Sequence, residues 1–226
     1  MFVAAPIICL HFSLVSLGRI VNITSNLAME VRLKTALKNY YIQLETTERK
    51  LKEVLENLEN PVQTLINLSK QYHHVTSKDV DNAEICDIND LRDRLVFKIR
   101  NDIELEVAAI ANKVGQLRNC AEDLHRKFNH LESVRSEAIL SEPNFNELVD
   151  GTPYIPRLNL LMQWSIESYT LVSEFCERVS TNFKDVDYLD PEKVEKWAKY
   201  MNRESDDRGR VKEILGFTVF LIEGPV

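Results

Sequence analysis

Residues 103–131, IELEVAAIANKVGQLRNCAEDLHRKFNHL, decide the fold class of this chain. Apolar side chains recur there in alternating steps of four and three residues, at Ile103, Val107, Ile110, Val114, Leu117, Ala121, Leu124, Phe128 and Leu131. That spacing places them along one face of an α-helix and is the heptad pattern by which helices pack side by side. The stripe predicts a helix from about residue 90 to 134, which spans roughly 65 Å at the rise of an α-helix.

The same spacing occurs in two other stretches of the chain. One precedes the central stripe and continues beyond Asn60-Pro61 to residue 72, and the other follows it. Because proline lacks a backbone donor and disfavours helical geometry in the preceding residue, we expect a kink or a restart at Pro61. The two seams are Leu33, Leu37, Tyr40, Leu44, Thr47, Leu51, Val54 and Leu58, and Leu158, Met162, Ser165, Tyr169, Val172, Cys176, Val179 and Phe183.

Two short helices are predicted after the third seam. Asp190-Pro191 combines a good N-cap with proline at the first helical position, and the helix that follows carries Val194, Trp197 and Met201. A last helix covers residues 211–222. The polar stretches near 73–89 and 136–153 read as loops, with Asn89 or Asp90 as the cap of the central helix. The second loop exceeds the usual length of a connection, so it is expected to be either disordered or functional.

These elements predict an all-α fold. It is an elongated antiparallel coiled-coil-like helical bundle of three long helices plus two short C-terminal helices, in one domain over residues 29–223. Glycine supports this class, because 6 glycines in 226 residues are too few for the turns of barrels, sandwiches and nucleotide-binding sheets. Residues 1–28 carry no heptad position, and we predict that they are unstructured or not part of the fold.

The chain is acidic, with 28 basic and 35 acidic residues and a formal net charge of −7. Without clustered lysine or arginine it is poorly suited to direct, sequence-independent nucleic-acid binding, which depends on neutralising phosphates. Phosphate-binding loops and the motifs of zinc proteases and serine hydrolases do not occur in the sequence. We therefore predict no catalytic site, no cofactor, and no direct contact with nucleic acid or membrane.

Metal binding is also not predicted. Glu122-x-x-His125 matches half of a di-iron site, which requires a second such pair and two further glutamates, and the sequence has no second pair. Cys120, His125 and His130 follow each other at five residues, about 140° around a helix per step, so they cannot converge on one ion. The four cysteines are expected to be reduced; Cys120 and Cys176 lie at or beside apolar helix positions, and a sparse disulfide framework is the alternative.

The last helix carries the candidate functional surface. Its apolar side chains cover more of the circumference than one bundle edge can bury, so some are expected to stay exposed and to bind a partner. The predicted interface residues are Val211, Ile214, Leu215, Phe217, Phe220 and Leu221. The alternative is that the short helix with Trp197 folds over the second face and hides it.

Three segments carry a resemblance to a known family. VQTLINLSKQ at 62–71, NDLRDRL at 89–95 and VKEILGFTVFLIE at 211–223 resemble segments of AIRIM, the AAA-ATPase-interacting ribosome maturation factor family. The long helices lie in matching order, and the resemblance covers about residues 29 to 223. The paralogous cyclin-dependent kinase-interacting protein family is similar through the last two helices, including ESDDR at 204–208.

The resemblance implies a non-enzymatic adaptor of a type II AAA ATPase complex. Its expected roles are cytoplasmic maturation of the pre-60S ribosomal particle and unfolding of replisome proteins on chromatin. The implied partners are AAA ATPase subunits, the paralogous cyclin-dependent kinase-interacting protein and, indirectly, the pre-60S particle, in cytoplasm and nucleus.

Two other readings remain open at the level of sequence. The heptads suit a structural coiled-coil subunit of another assembly, such as a spindle or tethering component, equally well. The apolar residues 2–17 would make the chain a secreted helical protein if they form a true signal.

Overall fold

A computed structural model describes the backbone of residues 8–81, 90–202 and 206–224. Side chains are described for residues 28–79, 81, 90–201 and 208–224. Helices account for nearly all of these residues, and no strand occurs among them. The helices are α1 (Ile8–Thr76), α2 (Leu91–Glu137), α3 (Asn146–Asp150), α4 (Leu158–Lys184), α5 (Pro191–Asn202) and α6 (Asp206–Glu223).

Helices α1 and α2 form an antiparallel hairpin. Near one end Arg32 of α1 bonds Glu137, the last residue of α2, at 2.7 Å. At the other end Arg92 of α2 donates to the carbonyl oxygens of Val75 at 2.9 Å and Ser77 at 3.0 Å. The connection between the two helices therefore reverses the chain, as the sequence predicts.

The remaining helices pack around this hairpin. Helix α4 lies against both α1 and α2, whereas α5 and α6 each lie against α1 and α4. Helix α1 therefore contacts four other helices and forms the centre of the bundle. The predicted all-α class is confirmed.

The three predicted seams are confirmed as faces of the core. All residues of the first seam, from Leu33 to Leu58, are buried. In α2 and α4 most seam residues are buried, and the others pack partly buried against them: Val107, Ala121, Phe128, Met162 and Tyr169. The core also contains side chains outside the seams, because α1 has neighbours on several sides; these include Tyr41, Leu161 and Phe175.

One cross-section of the bundle joins α1, α2 and α4 through Tyr40. Its ring packs edge-on against Phe128 of α2, with 6.2 Å between ring centroids. Its hydroxyl donates to the carbonyl of Ser165 at 2.7 Å and lies 2.8 Å from Ser168 Oγ, both in α4. The Tyr41 hydroxyl likewise donates a hydrogen bond to the carbonyl of Leu161 in α4, at 2.6 Å. Burial raises the pKa of both tyrosines well above the ordinary value, so both remain neutral donors.

Helix α1 continues through Pro61, where the sequence predicts a kink or a restart. An interior proline removes one helical hydrogen bond and typically costs about 3 kcal/mol or more. Leu58 and Val62 on either side, and Leu65 one turn further, are buried in the core. Burial of these side chains offsets the free-energy cost of the proline, so α1 remains continuous.

Several helix ends differ from the predicted ones. Helix α1 extends to Thr76, so residues 73–76 are helical, and α6 begins at Asp206 rather than at residue 211. Asp90 occupies the N-cap position of α2 in a left-handed conformation, φ 60°, without the side-chain hydrogen bond expected of a cap. The Asp190 cap is confirmed, because Asp190 Oδ1 accepts from the backbone N–H of Glu192 at 3.0 Å.

The connection between α2 and α4 is folded, although the sequence left open whether residues 136–153 are disordered. It contains a 3₁₀ turn at Pro143–Phe145 and the short helix α3. Phe145 and Leu148 are buried in the core. These two anchors fix the connection onto the bundle.

Part of the predicted organisation lies outside the described residues. These parts are residues 1–7, residues 82–89 with Asn89 and Cys86, residues 203–205, and the side chains of residues 8–27, Cys9 included. The backbone of residues 8–28 is helical and continuous with α1. Within the ranges described, every helix falls short of the apolar length that crossing a membrane requires.

The first prediction concerns the Tyr40 hydroxyl. Tyr40→Phe keeps the ring but leaves the Ser165 carbonyl without this donor, so the free energy of unfolding should fall by about 1–2 kcal/mol. Tyr200→Phe is the matched control, since Tyr200 is exposed and has no hydroxyl partner among the described residues; its effect should stay within about 0.5 kcal/mol. Urea titration followed by circular dichroism measures both, and equal stabilities would contradict the role given to Tyr40.

The second prediction concerns the two buried thiols. Cys120 and Cys176 are unpaired, and burial raises the pKa of Cys176 to about 12 and also raises that of Cys120. Because the thiolate is the reactive form, both should resist a thiol reagent at pH 8 in the folded protein and react in urea. The measurement uses a Cys9→Ser/Cys86→Ser chain. Rapid labelling of two thiols before unfolding would show that this part of the core is open.

Candidate partner interface

Helix α6 is held to the bundle by one of its faces. Val211, Ile214 and Leu221 are buried there against α1 and α4. Thr218 lies on the same face with no exposed surface, and its hydroxyl donates to the Ile214 carbonyl at 3.2 Å. The buried Thr218 hydroxyl therefore has its hydrogen-bond partner within α6 itself.

Two polar contacts attach α6 to α1. Near its start, Arg208 bonds Glu48 at 2.7 Å, and both side chains are largely buried, with 13% and 10% of their surfaces exposed. Near its end, Lys38 Nζ donates to the carbonyl of Gly224. A lysine at this point satisfies a terminal carbonyl and complements the negative end of the helix dipole. Both ends of α6 are fixed along α1.

A third contact attaches α6 to α4. Arg210 binds the two carboxylate oxygens of Glu167 at 2.7 and 3.2 Å and reaches Glu213 on its own helix at 2.7 Å. The hydrogen bond from Arg210 lowers the pKa of Glu167, and the two carboxylates raise the pKa of Arg210. Of these two ion pairs, only the one with Glu167 joins two helices.

The opposite face of α6 is aromatic and exposed. Phe217 and Phe220 have 50% and 59% of their surfaces exposed. Phe217 stacks on Trp164 of α4 at 5.3 Å between centroids, and Phe220 meets Tyr154 edge-on at 5.6 Å. Tyr154 is itself 67% exposed. We call Tyr154, Trp164, Phe217 and Phe220 the aromatic ridge; it spans α6, α4 and the turn before α4.

The structure divides the six interface residues predicted from the sequence. Val211, Ile214 and Leu221 belong to the core, Leu215 is half-buried, and Phe217 and Phe220 lie on the surface. The six therefore do not form one continuous surface. The reason is that α4 and α1 together cover one face of α6, which a helix pattern alone does not specify.

The alternative cover for α6 is not observed. Trp197 of α5 packs against Phe183 at the far end of α4, with 5.0 Å between ring centroids. Helix α5 therefore leaves Phe217 and Phe220 exposed.

Two residues of the aromatic ridge, Trp164 and Tyr154, were not predicted from the sequence. Trp164 lies outside the third seam, and Tyr154 lies just after the loop predicted near residues 136–153. Their only sequence signal is their type, since large aromatic residues away from a core stripe are typical of interfaces. Their proximity to α6 follows from tertiary packing.

His125 and Cys120, which the sequence analysis considered as metal ligands, have other surroundings in the structure. His125 lies 5.3 Å from the ring of Tyr169, and its Nε2 is 2.9 Å from the amide nitrogen of Asn129. Cys120 is buried in the core. Over the described ranges no three histidine, cysteine or acidic side chains are placed to hold a metal ion.

Comparison with known proteins identifies a family. The model of the CA109-like family, described as "Ribosome biogenesis protein C1orf109-like", matches residues 31–215. No curated protein and no solved structure gives a significant match. The matched region starts just before the first seam and ends inside α6.

The third prediction separates the two carboxylates bound by Arg210. Glu167→Gln weakens a bond between helices, whereas Glu213→Gln weakens one within α6. Exposed ion pairs contribute about 1 kcal/mol or less, so Glu167→Gln should speed amide hydrogen exchange across α6 a few-fold. Glu213→Gln should leave that exchange near the wild-type rate. Equal effects would show that Glu167 does not hold α6.

Acid should mimic the Glu167→Gln change. Because the folded pKa of Glu167 is lowered from the ordinary 4.5, its contribution is complete above that value and is lost as the pH falls through the folded pKa. The extra exchange of the Glu167→Gln variant relative to wild type should therefore disappear in acid.

Proposed function

The chain belongs to the C1orf109-like family of ribosome biogenesis proteins, and on that premise we propose that it is a non-enzymatic adaptor of an AAA ATPase complex. In this role it acts in the maturation of pre-60S particles and in replisome proteostasis on chromatin, in cytoplasm and nucleus. Its partners are AAA ATPase subunits and the paralogous cyclin-dependent kinase-interacting protein, and it meets the pre-60S particle indirectly.

The aromatic ridge is the observation that carries this proposal. Soluble monomers rarely expose contiguous large apolar surface unless it binds something, and aromatic side chains dominate the energetics of many interfaces. Phe217 and Phe220 are exposed at a place where the helix beneath them is firmly anchored. A rigid aromatic surface loses little conformational entropy on binding, which suits an adaptor that docks onto a large assembly.

The titratable groups of the core support a role without catalysis. The raised pKa of Cys176 and Cys120 makes these thiols weak nucleophiles at neutral pH. The raised pKa of Tyr40 and Tyr41 keeps their hydroxyls protonated and engaged with α4 carbonyls. Their bonds serve the packing of α1 on α4.

The fourth prediction tests the ridge against the ATPase complex. Phe217→Ser/Phe220→Ser should weaken binding at least about 30-fold, since truncating a single interface anchor typically costs about 2 kcal/mol or more and such losses are not additive. Far-ultraviolet circular dichroism should be unchanged, and the loss of stability should stay within about 1–3 kcal/mol, because the variant removes two aromatic pairs of about 0.5–1.5 kcal/mol each. The measurement is the Kd of the purified full-length chain for the immobilised ATPase complex.

A matched control comes from the other end of the hairpin. Phe97 and Leu105 of α2 are 75% and 63% exposed and lie far along α2 from the ridge. Phe97→Ser/Leu105→Ser should retain wild-type binding. Wild-type binding by the ridge variant would remove the ridge from the interface, and a wild-type chain that fails to bind the complex would refute the adaptor role in favour of a separate structural subunit.

A further inference from the structure

The folded connection between α2 and α4 forms a wall beside the start of α4. After α3 the chain makes a tight turn, in which the Thr152 N–H donates to the Ile155 carbonyl at 2.8 Å. Thr152 Oγ1 accepts from the N–H groups of Tyr154 and Ile155 at 3.3 and 2.9 Å. Phe145 and Leu148 anchor the preceding segment in the core. The wall is fixed at both ends.

Gly151 permits this turn. Its φ of 78° is a conformation that other residues rarely adopt, and a Cβ there would lie 2.9 Å from the Arg157 nitrogen and 3.0 Å from the Ile155 oxygen. The turn therefore requires glycine at this position. Its close approach to residue 157 fixes the backbone from which the Arg157 side chain extends.

A groove of about 740 Å³ opens between this wall, the end of α2 and the outer surface of α4. Most of its lining is apolar and includes Ile166, which is 50% exposed. We call it the connector groove; its apolar residues are Leu140, Val149, Leu158, Met162 and Ile166. Its charged residues are Arg135, Asp150, Arg157 and Glu167. A volume in this range is typical of binding pockets.

The two arginines that line the connector groove have no side-chain partner among the described residues. Glu167 is already paired with Arg210, which also binds Glu213. Arg135 and Arg157 form no side-chain hydrogen bond or ion pair with any described residue, and Asp150 remains as the one opposing charge. The unpaired guanidinium groups are available to carboxylates from outside.

We propose that the connector groove binds a peptide segment of a partner protein that carries apolar side chains next to one or more carboxylates. The apolar lining favours apolar side chains in the occupant. The two arginines at its rim favour carboxylates beside those side chains. A nucleic-acid strand fits less well, because the lining is mostly apolar and offers no aromatic ring for stacking. The proposal goes beyond the adaptor role, since it concerns a different surface and holds for any partner that presents such a segment.

The test selects peptides with the full-length chain as bait. A phage-displayed library of random 16-residue peptides is panned against the wild-type protein, and the recovered sequences are read. We expect enrichment of aspartate and glutamate next to leucine, isoleucine and phenylalanine. Recovery of neutral or basic peptides, or of none, would overturn the proposal.

The strongest peptide is then synthesised, and its Kd is measured by fluorescence anisotropy. Arg135→Glu/Arg157→Glu should weaken binding at least tenfold. Arg94→Glu/Lys98→Glu, the same charge change at exposed positions near the start of α2, should not. Equal loss in both variants would indicate a general charge effect and refute the groove. If the double variant fails to fold, Arg135→Glu alone leaves the Gly151 turn intact and should weaken binding severalfold.

Two further outcomes separate this proposal from the others. Peptide binding should persist in Phe217→Ser/Phe220→Ser; if that variant abolishes it while the arginine variant does not, the peptide occupies the aromatic ridge and the groove proposal fails. A uridine-rich RNA oligonucleotide that displaces the peptide at lower concentration than the unlabelled peptide would assign the groove to nucleic acid instead. Loss of ATPase binding, by contrast, bears only on the adaptor role.

Discussion

The bundle depends on the contact that Tyr40 makes between helices α1, α2 and α4. A tyrosine in the centre of a helical core must satisfy its hydroxyl, and helix backbones usually have no free acceptor in their interior. Here the Ser165 carbonyl accepts a second hydrogen bond through its remaining lone pair, while Ser168 lies within hydrogen-bonding distance. The bond fixes the axial position of α4 along α1, because it is directional and the surrounding apolar contacts are not.

Small polar residues make this close approach possible. Ser165, Ser168 and Ser180 lie on the buried face of α4, and each hydroxyl bonds to a carbonyl three or four residues earlier. A serine whose hydroxyl is hydrogen-bonded to its own helix acts in a core as a small side chain. It therefore allows a neighbouring helix to pack closely. The buried face of α4 therefore mixes serines with apolar residues without leaving these hydroxyls unpaired.

The position of α4 in turn determines both candidate surfaces. Trp164 supports Phe217 on one side of α4, and Ile166 lines the connector groove on another. Glu167 belongs to both regions, since it lines the groove and holds Arg210 of α6. The ridge and the groove are thus separate surfaces that share one structural support. A partner bound to either surface would lie close to the other.

The sequence by itself determined the helices and their buried faces. Steps of four and three residues specify which side of a helix is apolar, and Leu33, Leu117 and Phe183 are buried as that pattern requires. The sequence also indicated that the apolar side chains of α6 cover more of its circumference than packing against one edge of the bundle can bury. Periodicity could not show which side of α6 meets α1, because that depends on neighbours distant in the chain. For this reason Val211, Ile214 and Leu221 proved to be core. Likewise, only tertiary packing brings Trp164 and Tyr154 beside Phe217 and Phe220, and only the turn at Gly151 places Arg157 at the rim of an apolar groove.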